Sequence, residues 1–271
     1  MSTDSPNPDQ SPEPSVKKLL REKKSTSWVE AVMVLSIMVV LIALFRPSMH
    51  EPRGDTLRKY CKNNLKQIGL GLHCYHDVYG SFPPAVVVDS DGRPMHSWRV
   101  LILPFMDYQA LYDKYQFDEP WDGPRNSLLH DQMPDVYGCP AFAKGVAHDS
   151  LEGQHLSRLT NYVAIVAPGA VFDGATPSAL HEVCDPRDHT LAVAEVCQHA
   201  VNWLSPQDVT PAEFLTDLRR SVSEANANHV DGLHTLRADG SVRFVPHDLT
   251  VDTLNAAVSK NGGEQLPNDF Y

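Results

Sequence analysis

The sequence lacks the short patterns that announce common chemistries. Its five cysteines, at 61, 74, 139, 184 and 197, form no CxxC pair, so a zinc ribbon has no support. It contains no HExxH, no GxSxG, no P-loop and no dinucleotide fingerprint, and no nucleophile–base pair stands out. Positive charge is also short. With 23 Lys and Arg against 34 Asp and Glu, the formal net charge is −11. Such a surface repels phosphate backbones and disfavours nucleic acid as a partner. No catalytic residue and no cofactor is expected, and the chain reads as a non-enzyme.

What is present is a globular composition with an apolar segment near one end. Of 271 residues, 42% are hydrophobic and 21% charged, which suits a packed domain. The 21 prolines and 15 glycines point to turns and loops rather than a helical bundle. Residues 1–26 read as a disordered tail that ends in a basic cluster, Lys17, Lys18, Arg21, Lys23 and Lys24. Residues 27–46 read as a transmembrane helix. The apolar run from Ser27 to Phe45 would span about 28 Å, with Trp28 at one interface. A cleaved signal peptide is the rival, but Phe45-Arg46-Pro47 makes a poor cleavage site. Basic residues flank both ends, so counting charges leaves the orientation open. Glu30 sits one turn into the run, where a deeply placed carboxylate costs about 2–3 kcal/mol. Either it reaches the headgroups, or it seeks a charge on a neighbouring subunit.

Residues 47–55 read as a linker, 56–265 as one soluble α+β domain, and 266–271 as a C-terminal tail. From Thr56 to Tyr79, Leu57, Cys61, Leu65, Ile68, Leu72, Tyr75 and Tyr79 recur at helical spacing. Asp55 and Thr56 are N-cap candidates and Gly80 is a C-cap candidate. Residues 85–88 suggest a strand and 98–115 a second helix, with Pro104 inside its first turns. A proline-rich loop over 117–124 follows. Runs at 161–166, 190–196, 233–237 and 241–245 read as strands, the last two flanking the turn Ala238-Asp239-Gly240. Residues 251–258 read as a short terminal helix. The expected fold is α+β, an N-terminal transmembrane helix followed by a helix packed on an antiparallel sheet.

Candidate sites follow from residue chemistry. If the domain lies outside the cytoplasm, Cys61 with Cys139, or Cys184 with Cys197, could form disulfides; buried thiols are the alternative. His229, Asp231, His234 and Asp239 cluster in sequence and have the donor types a divalent metal takes. The plainer reading makes them polar groups of a loop and a hairpin turn, and no metal is assigned. Asp118, Glu119 and Asp122 around Trp121 offer oxygen ligands for calcium, against the reading of an acidic surface loop. His73 and His76 read as helix-surface polarity. Trp98, Trp121 and Trp203 either form a ligand platform or fill a core.

Several segments together resemble a known family. Cys61-Lys62-Asn63-Asn64-Leu65-Lys66-Gln67-Ile68-Gly69-Leu70-Gly71-Leu72-His73 opens the likeness, and Tyr75-His76-Asp77 and Gly80-Ser81-Phe82-Pro83-Pro84-Ala85 continue it. Gly92-Arg93-Pro94, His96-Ser97-Trp98-Arg99-Val100 and 117–122 follow. Val136-Tyr137-Gly138-Cys139-Pro140, Thr160-Asn161-Tyr162-Val163-Ala164 and 238–244 complete it. In order, these resemble domain of unknown function 1559, a prepilin-like family abundant in planctomycete bacteria. Members carry a leader cut after a Gly that precedes Phe-Thr-Leu-Val-Glu. Here Val29-Glu30 keeps the end of that pattern and Pro47 falls where such helices carry a proline, but Ser25-Thr26-Ser27-Trp28 replaces the cleavage residues. The departure points to a divergent, uncleaved member.

The resemblance implies a pilin-like topology, with a cytoplasmic N-terminus and an extracytoplasmic (periplasmic) domain. It also implies an assembly role for Glu30, which in pilin-type helices pairs with a neighbour's N-terminal amine. The expected partners are the lipid bilayer and other pilin-like subunits. The expected function is a membrane-anchored, pseudopilin-like envelope protein, structural or assembly-related, in a type II secretion-type or cell-surface system. The alternative is a membrane-tethered ligand-binding module or a metal-dependent hydrolase, also extracytoplasmic.

Overall fold

The computed structural model describes residues 28–45, 54–140, 142, 158–221, 229, 231–267 and 270. The chain divides into two compact units, Met1–Glu51 and Pro52–Tyr271. The first contributes helix α1, Trp28–Phe45. Its side chains are described through Leu41, and from Val32 to Leu41 the large apolar ones are exposed. Among residues described in full, no helix is long and apolar enough to cross a membrane. The helix has 18 residues, about 27 Å at 1.5 Å each. The fully described part stops at Leu41 and is correspondingly shorter than a hydrocarbon core. The expected tail over 1–26 and Pro47 of the linker lie outside the described residues.

The second unit begins with helix α2, Gly54–Tyr79. Its sequence stripe is its buried face: Cys61, Leu65, Ile68 and Leu72 are at most 3% exposed, while Tyr79 at the far end is exposed. The helix starts before the expected caps, so Asp55 and Thr56 lie inside its first turn. Gly80 ends it with φ +79°, where its N–H donates to the His76 carbonyl. Two strands, β1 (Val86–Val88) and β2 (Pro94–Ser97), then form an antiparallel hairpin.

The single helix expected over 98–115 is three short pieces. They are α3 (Trp98–Leu101), a 3₁₀ turn (Leu103–Met106) and α4 (Gln109–Tyr112). Pro104 removes a backbone donor, and Asp107 turns the chain through a left-handed φ of +65°. The apolar spacing survives the breaks, which is why it imitates one helix.

A four-stranded antiparallel sheet forms the centre, in the order β4 (Tyr162–Ala164), β5 (Leu191–Glu195), β7 (Gly232–Arg237) and β8 (Val242–Pro246). A separate small pair joins β3 (Leu159–Thr160) to β6 (Val201–Asn202). The β7–β8 turn carries Gly240 at φ +85°, a conformation glycine adopts without steric cost. The central sheet buries both faces along β4, β5 and β7, while β8 at its edge is partly exposed. Val193, Leu236 and Val242 face the α2 stripe, whereas Leu191, Ala194, Leu233 and Val245 face α5 (Pro211–Arg220) and α6 (Val251–Val258). Gly69 lets α2 come close, since a Cβ there would stand 2.7 Å from Leu236 Cδ1. Helix α5 was not anticipated, although Thr210 and Glu213 form a capping box at its start. Leu266 and Phe270, expected in a tail, pack into the second core, with Arg237 Nη2 donating to the Phe270 carbonyl at 3.0 Å.

One buried ion pair ties loops to the sheet. Arg99 is fully buried and donates to Asp208 Oδ1 at 2.7 Å, to the Tyr162 carbonyl at 3.0 Å and to Ser97 Oγ at 2.9 Å. The same Asp208 oxygen accepts from the Ala164 N–H at 2.7 Å and from Trp98 Nε1 at 3.2 Å. Removing one partner strands the other charge in the interior. Arg99→Met is expected to lose about 3–5 kcal/mol of stability. The double replacement Arg99→Met with Asp208→Leu should be less damaging than the single one, as read by thermal denaturation.

Candidate functional site

The feature with most chemistry is a buried cluster between α2 and the sheet. Strand β5 is an apolar run with one carboxylate in it: Leu191, Ala192, Val193, Ala194, Glu195. Alternation along the strand puts Glu195 on the same face as Val193, toward α2. Ala194 pairs with Thr235 across the ladder, so one further step sets Glu195 opposite His234 of β7. His234 alternates with Leu233 and also faces α2. The aligned periods of two strands and a helix thus bring an acid, an imidazole and a cysteine to one place.

The distances make this a connected group. Glu195 Oε2 lies 3.2 Å from His234 Nδ1, and Oε1 lies 3.4 Å from His229 Nε2. The two imidazoles meet edge to face, with ring centres 5.1 Å apart. His229 Nε2 is 4.0 Å from Cys139 Sγ, and Cys139 is disulfide-bonded to Cys61 with Cα atoms 5.4 Å apart. Cys61, Cys139, Glu195 and His229 each offer a ligand atom within 4.8 Å of the others. All of them, with His234, are at most 5% exposed. Phe244 packs on His234 at 5.2 Å, and the Arg58 guanidinium lies over the Phe244 ring at 5.0 Å.

The loop that presents Cys139 is held by side chains from both directions. Asn64 of α2 donates to the Gly138 carbonyl at 3.0 Å, and Cys139 N–H donates to Asn161 Oδ1 at 2.8 Å. Closing a loop between residues 78 apart is worth about 4–5 kcal/mol in the chain-entropy account.

Electrostatics act against each other at Glu195. Complete burial pushes its carboxyl up, yet hydrogen bonds and charge from His229 and His234 outweigh that and bring it down to about 2. The Tyr162 hydroxyl, 3.5 Å from the Cys61 carbonyl, is pushed well up by burial, with the Glu195 charge adding to the effect.

The structure treats the four candidate metal ligands differently. It brings His229 and His234 together, but leaves Asp231 and Asp239 outside. Asp231 sits at φ +70° and is exposed, its backbone bonded to Ser221 and His247; Asp239 Oδ1 accepts from the Ser241 N–H at 2.7 Å within the hairpin turn. Their side chains point away because turn geometry, not the sheet face, orients them. Cys61 and Cys139 form the disulfide; Cys184 is exposed, Cys197 is buried, and these two do not form one.

The other candidates have structural uses. Asp118 and Glu119 are bound to Arg125, whose Nη2 donates to both Asp118 oxygens at 2.8 Å, and Asp122 is exposed. Trp98 and Trp203 are fully buried, so they fill core; Trp121 stacks on His130. His76 Nε2 accepts from the Leu180 N–H at 3.0 Å, and His73 lines a cavity with Phe82 and Leu236 of about 10 Å³, room for one water. Glu30 lies in α1, the other unit. Glu195 itself was missed. Its one signal is a lone carboxylate at the end of an otherwise apolar β-run, a position that demands a partner.

Residues 58–179 match the model of a family described as a protein of unknown function (DUF1559). The match contains both bonded cysteines and stops before Glu195, His229 and His234. No curated protein and no solved structure matches the chain.

Because Glu195 is lowered in the folded state from 4.5 to about 2, its contribution is fully present above pH about 4.5 and is lost as pH falls toward 2. That contribution is about 3 kcal/mol. Glu195→Gln should lower stability near neutral pH by that order and flatten the stability curve between pH about 4.5 and 2. Denaturant titrations across that range read the effect; superimposable curves for wild type and variant would contradict it.

Proposed function

We propose that this protein is a membrane-anchored, pseudopilin-like envelope protein whose domain lies outside the cytoplasm and acts through its surface rather than by catalysis. The observation that carries the reading is the buried Cys61–Cys139 disulfide, which fixes α2 to the Gly138–Cys139 segment. Bonds of this kind persist in oxidising compartments and are rare where thiols are kept reduced. The apolar α1 helix supports the same reading. From Val32 to Leu41 its large apolar side chains are uncovered, and the sequence stays apolar through Phe45. Uncovered apolar surface on this scale is stable against lipid or against other apolar helices, and costly in water.

In this reading the N-terminus stays in the cytoplasm, the bilayer holds α1, and α1 is the element through which other pilin-like subunits are engaged, while an uncleaved chain lacks the amine that Glu30 pairs with in pilin-type helices. The departure of residues 25–28 from the usual cleavage pattern points to an uncleaved N-terminus. A type II secretion-type or cell-surface assembly is the setting this topology suits, and the likeness to planctomycete proteins belongs to the same reading. The hydrolase alternative gains less support. His229 and His234 are 4% and 5% exposed, so a substrate would have to open the domain to reach them.

Membrane fractionation of cells making the full chain tests the proposal. The chain should stay with membranes through salt and alkaline washes, and a chain lacking residues 28–45 should be released. Cys61 and Cys139 should resist alkylation until a reductant is added, and mass spectrometry should find the intact N-terminal tail. Recovery in the cytosol with both thiols freely alkylated would overturn it.

A further inference from the structure

Glu195 and His229 lie beside the disulfide, and with its two cysteines they offer a metal-ligand set once the sulfur–sulfur bond is absent. We propose that the reduced protein binds one Zn²⁺ through Cys61 Sγ, Cys139 Sγ, Glu195 and His229 Nε2, so that this buried site carries either a disulfide or a zinc ion. This goes beyond the membrane-anchor reading and does not depend on it, since it concerns ligand chemistry inside the domain.

Three observations support it. The first is composition: two thiols, one imidazole and one carboxylate are ligand types that zinc takes in a closed four-coordinate site. The second is geometry. Zn–S bonds of about 2.3 Å and Zn–N and Zn–O bonds of about 2.0–2.1 Å set tetrahedral edges of ~3.3–3.8 Å. His229 Nε2 stands 3.4 Å from Glu195 Oε1 and 4.0 Å from Cys139 Sγ, and all the donor atoms lie within 4.8 Å of one another. The two sulfurs must move apart, which breaking their bond allows, and the wider separations, such as 4.0 Å from His229 Nε2 to Cys139 Sγ, must close by a few tenths of an ångström or more. The third is support for the ligands. His234 Nδ1 holds the other Glu195 oxygen at 3.2 Å, and Asn161 and Asn64 hold the backbone beside Cys139. Zinc sites depend on such outer contacts to fix ligand orientation.

The chemistry balances with a phosphine as reductant. The phosphorus supplies two electrons and takes an oxygen from water; the disulfide takes two electrons and two protons and becomes two thiols. Zn²⁺ then forms two Zn–S bonds and releases the two thiol protons to buffer. Glu195 binds as the carboxylate it already is, and His229 binds through a neutral nitrogen. Two thiolates, one carboxylate and Zn²⁺ sum to a net charge of −1. Zn²⁺ thus offsets most of the negative charge that its ligands would otherwise bury.

The test uses the full chain in detergent, oxidised and phosphine-reduced, with Zn²⁺ or Co²⁺ added and excess metal removed by desalting. The reduced protein should retain one zinc per chain and the oxidised protein none. The cobalt form should show thiolate-to-metal charge transfer and the visible bands of a tetrahedral ion. His229→Ala and Glu195→Gln should lose most of this affinity, and His234→Ala should weaken it by about 10–100-fold without removing the charge-transfer band.

Circular dichroism of each sample separates lost binding from lost fold. If the reduced, metal-free chain has unfolded, zinc should restore its spectrum and raise its melting temperature; failure to do so overturns the proposal. So does absence of thiolate charge transfer in the reduced cobalt form. Equal uptake by folded His229→Ala, or by a Cys61→Ser/Cys139→Ser chain, also overturns it, because the metal would then sit on Cys74, Cys184 or Cys197.

Discussion

The packing of helix α2 across one face of the central sheet is the constraint on which the domain depends. The helix lays Cys61, Leu65, Ile68 and Leu72 against strands whose inward side chains alternate with those facing α5 and α6. Along β4, β5 and β7 both sheet faces are therefore buried, and a polar group there is costly unless it is partnered. Glu195 meets that demand through two histidines, and Arg99 meets it through Asp208. Each of these pairs joins segments distant in sequence, so each specifies where a loop or strand docks as well as paying part of its own desolvation.

The disulfide belongs to the same constraint. Cys61 occupies a stripe position on α2, between Leu57 and Leu65, where a small apolar group is required in any case. Its bond to Cys139 anchors the segment following the short helices, and Asn64 and Asn161 hold that segment from each side. The bonded sulfurs, the carboxylate and the imidazoles touch because one helix and two strands share a packing face. Burial gives the cluster its chemical character. In water the same residues would be solvated separately, whereas inside the domain their charges and lone pairs act on one another.

Much of the fold was legible because its signals are periodic and local. The α2 stripe, the β7–β8 turn around Gly240 and the terminal helix 251–258 all correspond to elements of the structure. The failures are instructive. The spacing over 98–115 imitates a helix that Pro104 and the left-handed Asp107 break into pieces. Helix α5 announces itself only through its Thr210–Glu213 cap, and its buried face is too short a pattern to stand out. At the site, proximity in sequence joined His229, Asp231, His234 and Asp239, but only His229 and His234 reach the buried cluster, because turn geometry orients Asp231 and Asp239 away from it.

By itself, the sequence determined the apolar run at 28–45, the acidic charge, the class of fold and the helix that would carry Cys61. These are properties of composition and of short periods, which a chain expresses before it is folded. Only the tertiary structure decided that Cys61 bonds Cys139 rather than remaining a thiol, and that Glu195 meets His229 and His234. The reason is physical: these contacts span tens of residues and depend on strand register and on which face each element buries. Neither quantity is written in any local stretch of the chain.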